Sequence, residues 1–378
     1  MRILILNWKD IKHPHAGGAE IVTHEFAKRL VQLGHTVYLF CQKSHQLKSE
    51  ETIDGIHVCR QGSYLSVYFW AVWLYRKRFK NTIDIVIDQF HGLPFFTPLY
   101  VKKPILAYIH EVAGEIWFAD FIFPLSLIGY FIEKLQFRLY QNICFLTHSI
   151  STKKELITYG IAQQNVTVII PTIARVSHRS YQKSEHPALI YLGRLGPIKR
   201  IELLVKSVSI LKKSFPKLGV WLVGSGKPGY TRQLLHQIDT LKLKHIITLF
   251  GHVSEAKKRA LLKRAWINVH PSLKEGFGLT VVEAAALETP TVSFDVGGLR
   301  DLIRHNKTGI LVKSHTPQAL AEAIEELFST PKKLDSLSAE AYKWSQTLPT
   351  WSKQTQKFET LLKNNLLATF LYQTFKEP

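Results

Sequence analysis

Glu275 and Glu283 bracket the segment EGFGLTVVE, in which Gly276 and Gly278 flank Phe277. A carboxylate accepts two hydroxyls well, and both sugars and ribose offer neighbouring hydroxyls. One acid can therefore hold a ribose and the other a sugar or its reacting phosphate. The glycines let backbone come close to a ligand, and the helix that opens at Leu279 and Thr280 offers its first free N–H groups to a phosphate. Glu275 precedes this helix and Glu283 lies about one turn inside it, so both can face the same side. Alone, two such glutamates are more often a capping acid and a surface helix residue.

Neighbouring segments shift that balance. The run GRLGPIKR follows an apolar strand and supplies Arg194 and Lys199, with Arg200 beside them. Arginine grips phosphate oxygens with a planar fork and lysine acts as a compact charge, so the two can clamp a pyrophosphate and stabilise it as it leaves. VGSG places Gly224 and Gly226 at the end of another strand, and Gly251-His252-Val253 sits at the equivalent place one strand later, suited to backbone contacts with a base. His252 reads equally as a surface residue, and a lone Gly-x-Gly as a tight turn.

Near the start, Gly17 and Gly18 follow the first strand by about ten residues, too far for a dinucleotide fingerprint. They open a helix at Gly18 or Ala19 whose N-terminus can face a phosphate or a sugar. His110 ends the strand ILAYIH, and His148-Ser149 has a weaker claim at the end of another apolar run. A strand-end histidine is usually structural and acquires a role only where it lines a cleft.

Positioning these residues requires alternating strands and helices. Residues 2–7, 36–40, 83–87, 105–109 and 166–170 read as buried strands. Residues 19–33 read as a helix with Val22, Phe26, Leu30 and Leu33 at helical spacing, stopped by Gly34. From 171 to 187 the pattern fades into a polar, basic linker. A second strand series follows at 188–192, 219–223, 246–250, 267–270, 291–294 and 310–312. The 378 residues thus divide into domains at 1–175 and 176–348, with a helical terminal segment at 349–378. The fold class is α/β: two Rossmann-like domains with parallel sheets, facing each other across a cleft where ligands meet the carboxyl ends of the strands.

With 46% apolar and 21% charged residues the composition excludes a disordered chain. Lys and Arg outnumber Asp and Glu by 49 to 29, leaving a formal +20, which fits nucleic acid, anionic lipid, a phosphorylated substrate or simply a solvated basic surface. Cys41, Cys59 and Cys144 form no Cys-x-x-Cys pair, as expected in a reducing compartment. The opening MRILILNWKD meets a charge too early for a secretory signal, so a cytoplasmic protein is expected.

No run reaches the roughly 20 uncharged apolar residues of a membrane span. Residues 64–75 and 121–132 come closest. The first begins at Tyr64 as YLSVYFWAVWLY and leads into Arg76, Lys77, Arg78 and Lys80, an arrangement suited to an anionic membrane interface. The other reading is a buried helix with only the basic cluster at the surface.

Together these pieces resemble the retaining glycosyltransferases of family 4, which have the GT-B fold, over nearly the full length. The matches are GGAE at 17–20, GRLxxxKR at 193–200, VGSG at 223–226, EGFGLTVVEAAA at 275–286 and DVGGLRDLI at 295–303. The first is loose, and the one at 275–286 is specific. The resemblance implies that Arg194 and Lys199 bind the donor diphosphate, Glu283 the ribose and Glu275 the transferred sugar or its phosphate. His110 would line the sugar site. The other donor-binding positions would be Gly17, Gly18, Gly224, Gly226, His252 and residues 276–280.

It further implies sugar transfer from a nucleotide diphosphate sugar, with GDP-mannose and UDP-sugars both open, to a glycan or lipid-linked acceptor of the cell envelope. Retention would proceed through an oxocarbenium-like state, with no protein nucleophile and no cofactor or metal. The lack of an Asp-x-Asp pair agrees with that. By the same resemblance the terminal segment crosses back to the first domain. IIPTIARV stands where the family often shows Pro-Asn-Gly-Val, and Asp301 where Glu is usual. The alternatives are a nucleotide-sugar 2-epimerase on the same architecture and, more distantly, a non-enzymatic nucleic-acid-binding protein. No nucleic-acid module is recognisable, so nucleic acid is not an expected partner.

Overall fold

The computed structural model describes residues 1–176 and 182–374, which form two compact units. One comprises Met1–Pro171 with Pro349–Pro378, the other Thr172–Leu348. Part of the linker expected at 171–187 and the last four residues of the terminal segment lie outside the described residues.

The first unit holds an eight-stranded sheet: β1 (Arg2–Leu6), β2 (Thr36–Cys41), β3 (Glu50–Ile53), β4 (Ile56–Arg60), β5 (Ile85–Phe90), β6 (Ile105–Ile109), β7 (Cys144–Thr147) and β8 (Val166–Val168). Their order is β3-β4-β2-β1-β5-β6-β7-β8. Every pairing is parallel except β3 with β4, a hairpin turned by Asp54 and Gly55, both at positive φ. Sequence periodicity misses β3, β4 and β7. β3 is a charged, half-exposed edge, and β7 has four residues, too short to show a period.

β5 also runs further than expected, because its polar residues are buried and bonded. Asp88 accepts hydrogen bonds from Phe95 N (2.8 Å), Thr97 Oγ1 (2.6 Å) and the Tyr140 hydroxyl (2.5 Å). Burial nonetheless pushes its carboxyl above the usual range.

Register defines the faces of this sheet. Leu4, Val86 and Ile105 stand side by side, as do Phe90 and Ile109. This face packs against Val67, Ala71 and Leu74 of the helix Val67–Leu74 and against Phe137 of the helix Leu125–Leu139. Tyr108, one residue out of phase, meets Phe358 of the terminal helix Trp351–Thr374 on the opposite face. There Phe26 of the helix Gly18–Gln32 packs edge-on against Trp351 and Phe358, with ring centroids 5.1 and 5.2 Å away.

The second unit is an all-parallel six-stranded sheet: β9 (Ala188–Leu192), β10 (Gly219–Val223), β11 (Ile247–Gly251), β12 (Ile267–His270), β13 (Thr291–Phe294) and β14 (Gly309–Val312). The order β11-β10-β9-β12-β13-β14 reverses direction between β9 and β12. Such a switch splays two loops apart at the strands' carboxyl ends, where α/β sheets bind ligands. The apolar run of β9 follows from burial on both faces, and β12 is equally buried although it carries Asn268 and His270.

Candidate active site

The switch between β9 and β12 brings Lys199 and Glu275 of the second unit together. After β9 the chain passes Gly193, the exposed Arg194 and the buried Leu195. It then makes a single 3-10 turn, Pro197–Lys199, before the helix Ile201–Leu211. After β12, Leu273 N bonds to Ile198 O at 2.8 Å and fastens one loop to the other. That contact brings Lys199 Nζ to 2.7 Å from Glu275 Oε2. The Arg194 guanidinium makes no hydrogen bond or ion pair among the described residues, while its carbonyl accepts from the buried Tyr191 hydroxyl at 2.8 Å.

The two acids experience opposite fields. Burial pushes the Glu275 carboxyl up, but the charge and hydrogen bond of Lys199, aided by His270 and the Phe277 N–H, hold it below the ordinary carboxylate range. For Glu283, burial outweighs the pull of Lys258, 2.8 Å away, and leaves its carboxyl above that range. Lys258 also pairs with Glu255 at 2.8 Å. It sits in the cation-rich helix Glu255–Arg264, where nothing in the sequence sets it apart from its neighbours.

Glycine geometry explains the loop around these acids. Gly278 caps the helix Leu279–Ala285 at φ +95°, a conformation that L side chains rarely adopt. A Cβ on Gly298 would come within 2.6 Å of the Gly276 carbonyl, and Gly298 N donates to Glu275 O at 2.8 Å. The helix Gly297–Leu302 thus holds the Glu275 backbone in place. Phe277 is buried, and Thr280 Oγ1 lies 2.9 Å from His270 Nε2.

Gly224 and Gly226 answer to a different constraint. Their Cβ atoms would lie 1.9 Å from Gly193 O and 2.1 Å from Leu195 O. Backbone bonds from Gly193 N to Val223 O and from Leu195 N to Ser225 O zip the two strand-end loops together. The neighbouring loop therefore already requires glycine at both positions. His252, one strand further out, is exposed.

In the first unit, Gly17 N donates to Glu20 Oε2 at 2.6 Å. A Cβ on Gly18 would meet nothing within 4 Å, so the fold itself makes no demand for glycine there. His110 follows β6. Gln89 Nε2 lies 2.5 Å from its Nε2 and 2.7 Å from Thr23 Oγ1, linking His110 to the second turn of the helix behind Gly18. Gln89 Oε1 is buried without a partner among the described residues. Burial, then the neighbouring His148 and His91, hold His110 neutral, well below the usual histidine range. His148 is tied to the Tyr108 hydroxyl and to Ile169 O, both at 2.7 Å, and Ser149 caps the helix Ile150–Thr158, which are structural tasks.

Gln89, Lys258 and His270 escape the sequence reading. His270, as the last residue of β12, carries the one usable signal, a histidine at a strand's carboxyl end.

Burial depresses His148 and His270 to about 4. Their folded values lie below the unfolded value near 6.5, so stability is full above about pH 6.5 and declines as the pH falls toward 4, by up to about 3 kcal/mol for each. Urea midpoints measured at pH 7, 5 and 4 should fall in that order. His270→Gln should flatten the decline in the second unit, and an equal slope in that variant would refute the assignment.

Two family models match this chain in tandem: Glycosyltransferase Family 4 over residues 16–173 and Glycosyl transferases group 1 over residues 175–344. The chain belongs to the group 1 glycosyltransferases, with the GT-B fold. It is 32% identical over 167 residues to a D-inositol 3-phosphate glycosyltransferase of Paenarthrobacter aurescens. That alignment covers 42% of this chain and spans only 41% of the relative's length. Among solved structures, sucrose-phosphate synthase from Thermosynechococcus elongatus superposes with a TM-score of 0.82 at 20% identity, covering 97% of this chain and 99% of that one. Anabaena HepE, solved with UDP-glucose, superposes with a TM-score of 0.76 at 18% identity, covering 96% and 100%.

Proposed function

We propose that the protein transfers a sugar from a nucleotide diphosphate sugar to a glycan or lipid-linked envelope acceptor, with retention of anomeric configuration. The observation that carries this reading is the Lys199–Glu275 pair at the β9/β12 switch beside the unpaired Arg194. Arg194 and Lys199 grip the diphosphate and take up the charge that develops as it leaves, the task a metal would otherwise perform. Glu275 accepts hydroxyls of the transferred sugar. Glu283, short of donors in its buried position, accepts the ribose hydroxyls.

His110, held neutral, remains a hydrogen-bonding group of the first unit, and the leaving phosphate takes the acceptor's proton. Both UDP- and GDP-linked donors fit this chemistry, and the UDP-glucose bound to the Anabaena relative favours UDP. A lipid-linked acceptor, as opposed to a soluble glycan, would bring the enzyme to the cytoplasmic face of a membrane.

The test is a thermal-shift screen of nucleotides and nucleotide sugars, followed by transfer assays with the donor that stabilises most. A hit of at least several degrees and an α-linked product from an α-linked donor are expected. Glu283→Gln should raise the donor KM about tenfold while changing kcat less. No stabilisation by any nucleotide, or an inverted product, would overturn the reading.

A further inference from the structure

The helix Leu125–Leu139 is turned inside out. Ser126, Gly129, Glu133 and Gln136 point inward and are buried, while Leu125, Leu127, Ile128, Phe131, Ile132 and Leu135 are exposed. The approach to the helix continues the pattern, with Ile122 80% and Phe123 76% exposed.

Specific contacts fix this orientation. The Glu133 carboxylate accepts from Ala113 N (2.6 Å), Gly114 N (2.7 Å) and Trp117 Nε1 (3.0 Å). A Cβ on Gly129 would lie 2.2 Å from the Trp117 ring, so that ring lies directly on the helix backbone. Rolling the helix to bury its leucines would strand a buried carboxylate and unseat the tryptophan. An apolar face held outward in this way marks a contact surface.

Charge selects the partner. On the exposed side of the helix the only charges are Lys134 and Arg138, and the only acid between residues 121 and 154 is the buried Glu133. The Lys134 ammonium sits 4.2 Å over the Tyr130 ring. The helix Val67–Leu74 covers the same face of the sheet with Phe69 and Trp73 exposed, and Lys77 stands 4.9 Å over Trp73. Aromatic and aliphatic tips flanked by cations suit the boundary between headgroups and acyl chains. A second copy of the chain would set these cations against themselves, with no exposed acid between residues 121 and 138 to pair them. No described helix is long and apolar enough to cross a membrane, which fits a helix lying in the interface.

We propose that the surface of residues 118–138 docks the first unit onto an anionic bilayer. Phe123, Ile128 and Phe131 enter the acyl boundary, and Lys134 and Arg138 rest among the headgroups. This moves the principal membrane contact from residues 64–80, whose Val67, Ala71, Leu74 and Tyr75 are core, to a later segment. It extends the lipid-linked acceptor reading, and its test reads lipid binding instead of transfer, so the two can fail separately.

The experiment is flotation of the full chain with vesicles of phosphatidylcholine alone or mixed equally with phosphatidylglycerol. The wild type should float with the mixed vesicles. The triple variant Phe123→Ser, Ile128→Ser, Phe131→Ser should lose about tenfold or more in vesicle affinity while keeping its melting temperature. The pair Lys134→Glu, Arg138→Glu should lose binding to the mixed vesicles selectively. Should the triple variant misfold, Ile122→Cys bearing an environment-sensitive dye should shift to the blue on mixed vesicles. A wild type that fails to float, a folded triple variant that floats equally, a dye that does not shift, or a dimer that the triple variant dissolves would each overturn the proposal.

Discussion

Lys199→Ala is expected to lower kcat by about two to three orders of magnitude with the fold intact. Two losses combine. In the proposed mechanism the diphosphate loses a cation that would sit where charge accumulates during bond breaking. Glu275 loses the partner that offsets its burial. With burial then opposed only by His270 and the Phe277 N–H, its carboxyl climbs, so it is ionised over a narrower range and the acid limb of the pH–rate profile moves to higher pH. Lys199→Arg keeps the charge but replaces a compact ammonium with a planar fork, so only partial recovery is expected. Steady-state product assays across pH would read both effects. A near-wild-type kcat in Lys199→Ala would remove the lysine from the mechanism.

Gly224→Ala should destabilise the second unit by about 2–5 kcal/mol. Its φ of +134° disfavours any side chain, and the new methyl would stand 1.9 Å from the Gly193 carbonyl oxygen, a main-chain atom that cannot swing away. The collision would push the Gly193–Arg194 loop off the neighbouring strand end and displace the proposed diphosphate clamp with it. Denaturant titration measures the loss, and Gly18→Ala is the informative contrast. A methyl at Gly18 meets no atom of the protein, so its stability should hold and any defect should appear in ligand affinity. Equal stability of Gly224→Ala and wild type would show that the two loops are not mutually braced.

The parallel sheets are legible in the sequence because burial on both faces writes continuous apolar runs such as ALIYL and ILAYI. The hairpin of β3 and β4 is not, since an edge strand bearing Glu50 and Glu51 needs no apolar period. β7 is too short to show one. At the site, Glu275 and Lys199 are visible by type and spacing, whereas their pairing depends on a loop-to-loop bond at Leu273 that leaves no local trace. Lys258 is hidden for the opposite reason: it stands in a helix with so many cations that its one buried partner, Glu283, cannot be guessed. Gly224 and Gly226 teach a further lesson. A glycine pair at a strand end looks like space for a ligand, yet here a neighbouring backbone fills that space.

The terminal helix Trp351–Thr374 belongs to the first unit although the whole second unit is synthesised before it. Trp351 and Phe358 cover Phe26, Asn365 donates to Ile105 O at 2.9 Å, and Glu359 meets His35 at 2.9 Å. During synthesis, therefore, the first eight strands emerge before the helix that covers one face of their sheet, with the whole second unit between them in the chain. Birth order and completion order are reversed. The half of the molecule made first is the last to be finished.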